Sequence, residues 1–241
     1  AEYVRVIMAE LSRISDHLIC LGAMALDLGA FTAFLYFFQE REKCYNLFEM
    51  VTGTRLTTGY TRLGGVMRDF PEIFYPAVRD FMKNLPGVIQ EVEVLLNRNK
   101  IFLNRTRGIG VLAPDEAINY GWTGPCLRST GVAWDIRKAE PYSSYEDFEF
   151  DVPVGENGDV YDRYLVRMEE MRQSLRIIDQ ALNNLPAGEI NIFDWKVNIP
   201  EKEGVYHTME GLIHHFEIFM ENKGYRAPVG GEVYVPTEAP N

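Results

Sequence analysis

Two ionisable residues stand in apolar sequence near the start of this chain, His17 within DHLICLG and Asp27 within ALDLGA. A carboxylate flanked by Ala25, Leu26, Leu28 and Ala30 must reach water, find a partner or hold its proton, because burying a lone charge costs several kcal/mol. It could therefore serve a proton-transfer site, or simply end a helix in a wet turn before Gly29. His17 is able to titrate near neutrality, and equally able to be a hydrogen-bonded core residue. The charge run Glu40-Arg41-Glu42-Lys43 follows between aromatic blocks. At helical spacing it reads as a solvated face with ion pairs of a few tenths of a kcal/mol each.

Other reactive residue types offer less. Cys126 has no nearby histidine in the sequence to act as its base, and reads as a packed thiol. His214 and His215 are adjacent and diverge by about 100° on a helix, and His207 lies two turns away, so none of these pairs suits one metal ion. Gly64-Gly65 lacks the Gly-Lys-Ser/Thr element of a phosphate loop and reads as a turn. Cys20, Cys44 and Cys126 form no CxxC pair, so no thiolate cluster site is expected within the chain and a reducing compartment is favoured.

The elements that must position these residues are mostly helical. Val4, Ile7, Met8, Leu11, Ile14, Leu18 and Leu21 recur at three and four, predicting an amphipathic helix over residues 1 to about 27. A second helix is predicted from about Phe31 to Thr52, stopped by Gly53, to form a hairpin that holds Asp27 near its bend. Residues 54–70 read as an irregular connection. Residues 71–99 read as two helices broken at Leu85-Pro86-Gly87. Residues 101–155 are a long structured connection with one short helix near Asp115–Tyr120. A long helix over about Val160 to Leu185 carries Tyr164, Leu165, Met168, Met171, Leu175, Ile178 and Leu182 on one side, with Asp162 and Arg163 largely off it. It is expected to pack antiparallel against the first two helices. Helical pattern returns over His207–Phe219, and residues 230–236 alternate like a strand whose partners lie outside this stretch of sequence.

Composition agrees with a globular chain: 241 residues, 46% hydrophobic, net charge −11. With no sustained basic stripe, a nucleic-acid surface is excluded. No apolar run reaches the roughly 18 residues of a membrane-spanning helix. The chain starts at Ala1 inside a helical pattern, which suggests a piece of a longer polypeptide.

Four blocks carry a resemblance across nearly the whole chain. ALDLGAFTAFLYFFQERE at 25–42, VTGTRLTTGYTRLGGV at 51–66, GWTGPCLRSTGVAWDIRK at 121–138 and GDVYDRYLVRMEEMRQS at 158–174 resemble, in order and spacing, the 49-kDa-type (NuoD) subunit of respiratory complex I, the proton-pumping NADH:quinone oxidoreductase. The resemblance implies a mainly α fold over residues 1–241: one helical bundle like that of the [NiFe]-hydrogenase large subunit, with a small β element at its C-terminal end. It also implies a peripheral-arm role on the cytoplasmic side of the bacterial inner membrane, beside a quinone cavity.

Residue by residue, Asp27 and His17 then fall at catalytic positions, Ile19 and Ala23 on the cavity wall, and Arg55, Thr57 and Arg62 near a terminal [4Fe-4S] cluster. The chain would bind no cofactor itself. Quinone is the substrate, the cluster belongs to a NuoB-like subunit, and NuoC-like, NuoI-like and membrane-embedded NuoH-like subunits complete the surroundings. Many family members have histidine where this chain has Thr57, which implies a cluster potential that barely responds to pH. Some of the Glu40–Lys43 charges would belong to a buried polar chain. A membrane-bound energy-converting [NiFe] hydrogenase subunit and a redox-inactive scaffold are the competing readings.

Overall fold

A computed structural model describes residues 1–220 and 229–239. The predicted hairpin is present: α1 spans Glu2–Asp27 and α2 spans Phe31–Thr52. All seven residues of the predicted α1 stripe are buried. The reversal is made at Gly29, whose φ of +91° suits a residue without Cβ, and the Ala30 amide closes the turn onto the Ala25 carbonyl at 2.7 Å. Gly22 on α1 lies against Phe34 and Phe37 of α2, while Ser12 and Ser15 face the level of Arg41, Tyr45 and Phe48. The two helices therefore run antiparallel.

After α2 the chain makes a small antiparallel hairpin, β1 (Thr61–Arg62) with β2 (Gly65–Val66). Leu63 and Gly64 make its turn, with Gly64 at a φ of +79°, and Gly65 at the start of β2 permits a close approach by the Ile190 carbonyl and Asn191 Oδ1 that a Cβ would block. The segment at residues 190–192 is bound to the hairpin through Ile192 N to Gly64 O and Val66 N to Asn191 Oδ1, at 2.9 and 3.0 Å.

α3 spans Phe74–Asn97 as one helix, where the sequence pattern pointed to two. Val78, Phe81, Leu85, Ile89, Val92 and Leu96 keep an unbroken buried stripe through the break signal. Pro86 and Gly87 fall on the exposed side, where the carbonyl that loses its amide can meet water. The connection that follows holds more helix than expected: α4 (Lys100–Thr106), α5 (Pro114–Asn119), α6 (Gly124–Arg128), α7 (Ile136–Ala139) and a 3₁₀ turn at Tyr145–Asp147. Only α5 was visible beforehand, since elements of four to seven residues barely complete a period. Caps define two of the others, Asn99 accepting from the Ile101 and Phe102 amides and Asp135 from the Arg137 amide.

α8 spans Val160–Asn183 and is capped by Asp159, which accepts from the Asp162 amide at 2.8 Å. It runs antiparallel to α1: Ser174 meets Glu10, and Glu170, one turn earlier, meets His17, further along α1. It packs on α1, while α2 packs on α1 and α3, so α8 does not rest on both hairpin helices as expected. Two α8 positions also differ. Leu165 is exposed, and Asp162 is buried because its Oδ2 accepts the Glu156 and Asn157 amides.

The last helical region is split at Thr208, which ends α9 (Lys202–His207) and caps α10 (Met209–Phe219), its Oγ1 accepting from the Gly211 amide. The strand expected over 230–236 is absent. Residues 231–239 form no ladder among the described residues, and the β hairpin that is present lies at residues 61–66. No described helix is long and apolar enough to cross a membrane.

Candidate functional site

The buried face of α1 is not wholly apolar. Glu10, Arg13 and His17 sit on it, each no more than 1% exposed, among Ile7, Leu11, Ile14 and Leu18. Three and four residues apart, they lie on one side of the helix. Groups this deep must be paired, and each is.

Glu10 is met from four elements. Its carboxylate accepts from Arg13 Nε at 3.3 Å, Arg137 Nη1 at 3.1 Å, and the hydroxyls of Tyr145 and Ser174, both at 2.6 Å. Burial alone would raise its pKa. Arg13, Arg137 and the two hydroxyls outweigh that and bring it down to about 2, leaving a carboxylate at any physiological pH. The Tyr145 phenol is pushed up by burial and by the adjoining Glu10 charge, so it stays a proton donor.

A second centre forms around Glu170 of α8. Arg128, at the end of α6, reaches its Oε1 through Nη2 at 2.6 Å and Nε at 2.9 Å, and His17 Nε2 lies 2.7 Å from its Oε2. Burial would raise the Glu170 pKa, but His17 and Arg128 lower it to about 2. Burial lowers the His17 pKa, with Glu170 opposing. The arrangement accordingly favours a neutral imidazole donating Nε2–H to a carboxylate, which leaves Nδ1 as an acceptor. Nδ1 is buried and has no hydrogen-bond partner among the described residues.

The two centres are joined. Asp135 Oδ2 takes Arg137 Nη2 at 2.7 Å and lies 3.8 Å from Arg128 Nη1. The tail closes the set: Glu238 Oε1 accepts from Arg128 Nη2 at 2.9 Å, and the carbonyls of Glu238 and Ala239 accept from Arg13 at 3.1 and 2.8 Å. Four carboxylates, Glu10, Asp135, Glu170 and Glu238, thus share one buried network with three guanidiniums, Arg13, Arg128 and Arg137. Arg167, one turn before Glu170 on α8, adds a fourth guanidinium whose charge acts on both Glu170 and His17, and His17 is the member whose charge can change by taking up a proton.

Of the residues singled out from sequence, His17 alone enters this network. Asp27 is the last residue of α1, ten positions beyond His17 and so about 15 Å along the axis. It is exposed and makes no ion pair within 4 Å among the described residues, so it reaches water at the hairpin bend rather than a low-dielectric interior. Arg105 nearby donates to the Leu28 carbonyl, not to the carboxylate. Ile19 and Ala23 lie between the two, half-buried.

Arg55, Thr57 and Arg62 lie after α2 and are not brought to His17. Thr57 and Arg62 are exposed, while Arg55 is held by Glu42, Glu49 and Asn46 and stacks over Tyr45. A groove of about 240 Å³ opens there, lined by Ser15, Asp16, Arg41, Tyr45, Arg55 and Thr58 among others. In the charge run, Glu40 departs from the solvated-face reading: it is buried, takes Lys43 at 2.7 Å on one oxygen, and leaves Oε2 unpartnered.

Sequence reasoning missed Glu10, Arg13, Arg128, Asp135, Arg137, Glu170 and Glu238. Glu10 and Arg13 had a signal, being charges at positions of an otherwise apolar stripe. The other five lie on elements too short, or too distant in sequence, to announce a common destination.

Comparison with known proteins fits this arrangement to a family. Residues 27–241 match the family described as the respiratory-chain NADH dehydrogenase 49 Kd subunit. The chain is 49% identical over 241 residues to the D subunit of NADH-quinone oxidoreductase from Myxococcus xanthus, covering all of this chain and 57% of that protein. It is 50% identical over 240 residues to the corresponding D subunit from Geotalea uraniireducens, covering 61% of it, and 50% identical over 241 residues to a C/D subunit from Bdellovibrio bacteriovorus, covering 42%. The chain thus spans about three fifths of the length of the D-type relatives it matches. With the match extending from Asp27 at the hairpin bend through the whole of α8 and on to the tail, the chain belongs to the family of the 49-kDa subunit of respiratory-chain NADH dehydrogenase.

Proposed function

We propose that this chain is the part of a D-type complex I subunit that lies beside the quinone head, with residues 1–241 acting as one bundle unit of hydrogenase-like descent. In this reading α1 is the working helix. Its outer end, Ile19 to Asp27, forms one wall of the quinone cavity, and its inner end carries His17 into the buried ion network. Electrons originate from NADH and reach quinone from a [4Fe-4S] cluster held by a NuoB-like subunit that sits against Arg55, Thr57 and Arg62. NuoC-like, NuoI-like and NuoH-like subunits complete the site at the cytoplasmic face of the membrane.

The observation that carries the reading is the imidazole of His17. It is buried, tied on one side to the Glu170 carboxylate, and carries on the other a buried Nδ1 with no hydrogen-bond partner among the described residues. Such a group can hold or release a proton when a charge changes a few turns away along the same helix, as happens when quinone is reduced at the Asp27 end. The side chains of this chain would position the substrate and answer its charge, and the electrons would come through the partner.

The test is photolabelling of the assembled complex with a quinone bearing a photoreactive head. The label is expected within residues 19–27, and to be lost when excess quinone competes. Competed labelling confined to other segments would overturn the assignment.

A second expectation concerns Thr57. A hydroxyl does not titrate near neutrality, so the adjacent cluster has no protonatable neighbour from this chain and its midpoint potential should stay nearly constant between about pH 6 and 8. Redox titration followed by electron paramagnetic resonance measures this. A slope approaching about 59 mV per pH unit, the value for one proton taken up per electron, would remove Thr57 from the cluster's surroundings.

A further inference from the structure

The exposed carboxylate at the hairpin bend has a cation beside it that does not neutralise it. Arg105 lies in the last turn of α4 and reaches across to the bend, where its Nη1 donates to the Leu28 carbonyl at 3.1 Å. Leu28 is the residue after Asp27, and the same Nη1 lies 3.9 Å from the point that a Cβ on Gly29 would occupy. The reach is fixed from behind. Asn99 caps α4, Phe102 is buried against Tyr161 and Tyr164 of α8, and Thr106 is buried with its Oγ1 donating to the Phe102 carbonyl at 2.8 Å. Arg105 itself is exposed. Among the described residues its guanidinium donates only to the Leu28 carbonyl and meets no carboxylate within 4 Å, just as Asp27 meets no cation. One hydrogen-bond acceptor and one donor, both charged and both unmatched, therefore share the bend. The three elements that meet there also carry exposed apolar side chains, Leu26 on α1, Phe31 on α2 and Ile101 on α4. Ile101 is four residues before Arg105, on the same side of its helix.

We propose that Arg105 is a second charged residue of the quinone site, donating to a ring oxygen of the substrate. The inference rests on the proposed placement of the quinone head beside Asp27, and it adds α4 as a second wall to the one made by α1. A quinone is an apolar ring with carbonyl oxygens on its edge, and the bend offers the matching surface, a few charged groups set among apolar ones. Reduction adds two electrons and two protons and gives the hydroquinone, the electrons coming from NADH through the partner subunits. As electrons arrive, a ring oxygen carries negative charge until a proton reaches it. A guanidinium beside that oxygen interacts more strongly with the charged form than with the neutral carbonyl, so it speeds reduction more than it tightens binding. Only Nη1 of Arg105 is committed to the Leu28 carbonyl, which leaves Nε and Nη2 to meet the substrate. Asp27 has the complementary part, since a carboxylate accepts from the hydroxyl of the hydroquinone.

The test compares steady-state quinone reduction by purified whole complexes carrying Arg105→Gln or Arg105→Lys. Arg105 is exposed and its loss removes a single hydrogen bond from the chain, so both variants are expected to assemble. Arg105→Gln should lower kcat at least tenfold while KM for the quinone moves less than threefold. Arg105→Lys, which keeps a cation at the bend, should recover at least a third of the parent kcat and so separates the charge from the capping of α1. A kcat within threefold of the parent in Arg105→Gln, whatever happens to KM, would overturn the proposal, as would Arg105→Lys turning over as slowly as Arg105→Gln. Failure of the underlying reading looks different. Competed photolabel confined to segments other than 19–27 removes the quinone from the bend, and Arg105 with it, whereas label within 19–27 together with parent turnover in Arg105→Gln strikes Arg105 alone.

Discussion

Glu10→Gln will destabilise the fold by about 3–5 kcal/mol, one of the largest effects available to a single near-isosteric change in this chain. The amide occupies the same space, and its single oxygen can still accept from one of Tyr145 and Ser174, while its NH2 must donate to the other hydroxyl, so packing is retained. What is lost is the charge that faces Arg13 and Arg137, both about 1% exposed. Two guanidiniums brought together in the interior without the carboxylate between them, Arg137 keeping Asp135 and Arg13 keeping only backbone carbonyls, are the costly state, and urea unfolding followed by circular dichroism reads that cost directly.

The same substitution has a signature in pH. Glu10 and Glu170 are both lowered from 4.5 to about 2 in the fold. Their pKa values are depressed on folding, so their contribution is fully present above pH 4.5 and is lost as pH falls toward 2. By linkage it is on the order of 3 kcal/mol each. His17, lowered by burial, adds a loss in the same direction that starts below its ordinary 6.5. The parent protein should therefore lose stability steadily on acidification. Glu10→Gln, already resembling the protonated state at that site, should show a shallower slope between pH 4.5 and 2. Equal slopes would mean that Glu10 is not a carboxylate in the folded protein.

The second large effect is on activity alone. Asp27→Asn in the assembled complex should lower quinone reductase turnover at least tenfold while electron transfer from NADH to artificial acceptors upstream of the quinone stays at parent levels. Physical reasoning separates this from damage to the fold. Asp27 is exposed, has no ion-pair partner within 4 Å among the described residues, and closes α1 at its carbonyl end, where a negative charge is unfavourable. Removing that charge should leave stability unchanged or raise it by about 0.3–1 kcal/mol. A carboxylate kept where it slightly weakens its own helix is better explained by what it faces in the assembly. Unchanged quinone turnover would withdraw Asp27 from the site.

The long helices were legible because their signal is local and repeated. α1, α2 and α8 each bury a stripe at helical spacing over at least about five turns, and a few charges do not obscure it. Pro86 misled because a proline's cost depends on which side of the helix it falls, and six buried residues along α3 hold the stripe together across it. The ion network was nearly invisible for the opposite reason. Arg128, Arg137 and Asp135 look like ordinary loop charges until the folded chain brings them to α1. Glu170 sits in a helix rich in surface charge and differs from Glu169 only in facing inward. His17 stood out because a histidine in an apolar run is conspicuous; Glu10 and Arg13 drew no comment, although they lie on the same buried side of α1. The terminal strand was inferred from alternation alone, and alternation specifies a strand only where another backbone is available to pair with it.

The clasp made by Arg13 on the carbonyl of Glu238 spans 225 positions of the chain. A ribosome adding roughly 5–20 residues per second needs on the order of 10–45 s to deliver the second partner after the first. Until then α1 has only the Glu10–Arg13 pair on its own surface, and its other partners are added one by one as Arg137, Tyr145, Ser174 and Glu238 emerge in that order. α1 is thus made well before its network is complete, and the nascent hairpin depends on staying solvated, or on being held by another protein, until its distant partners arrive.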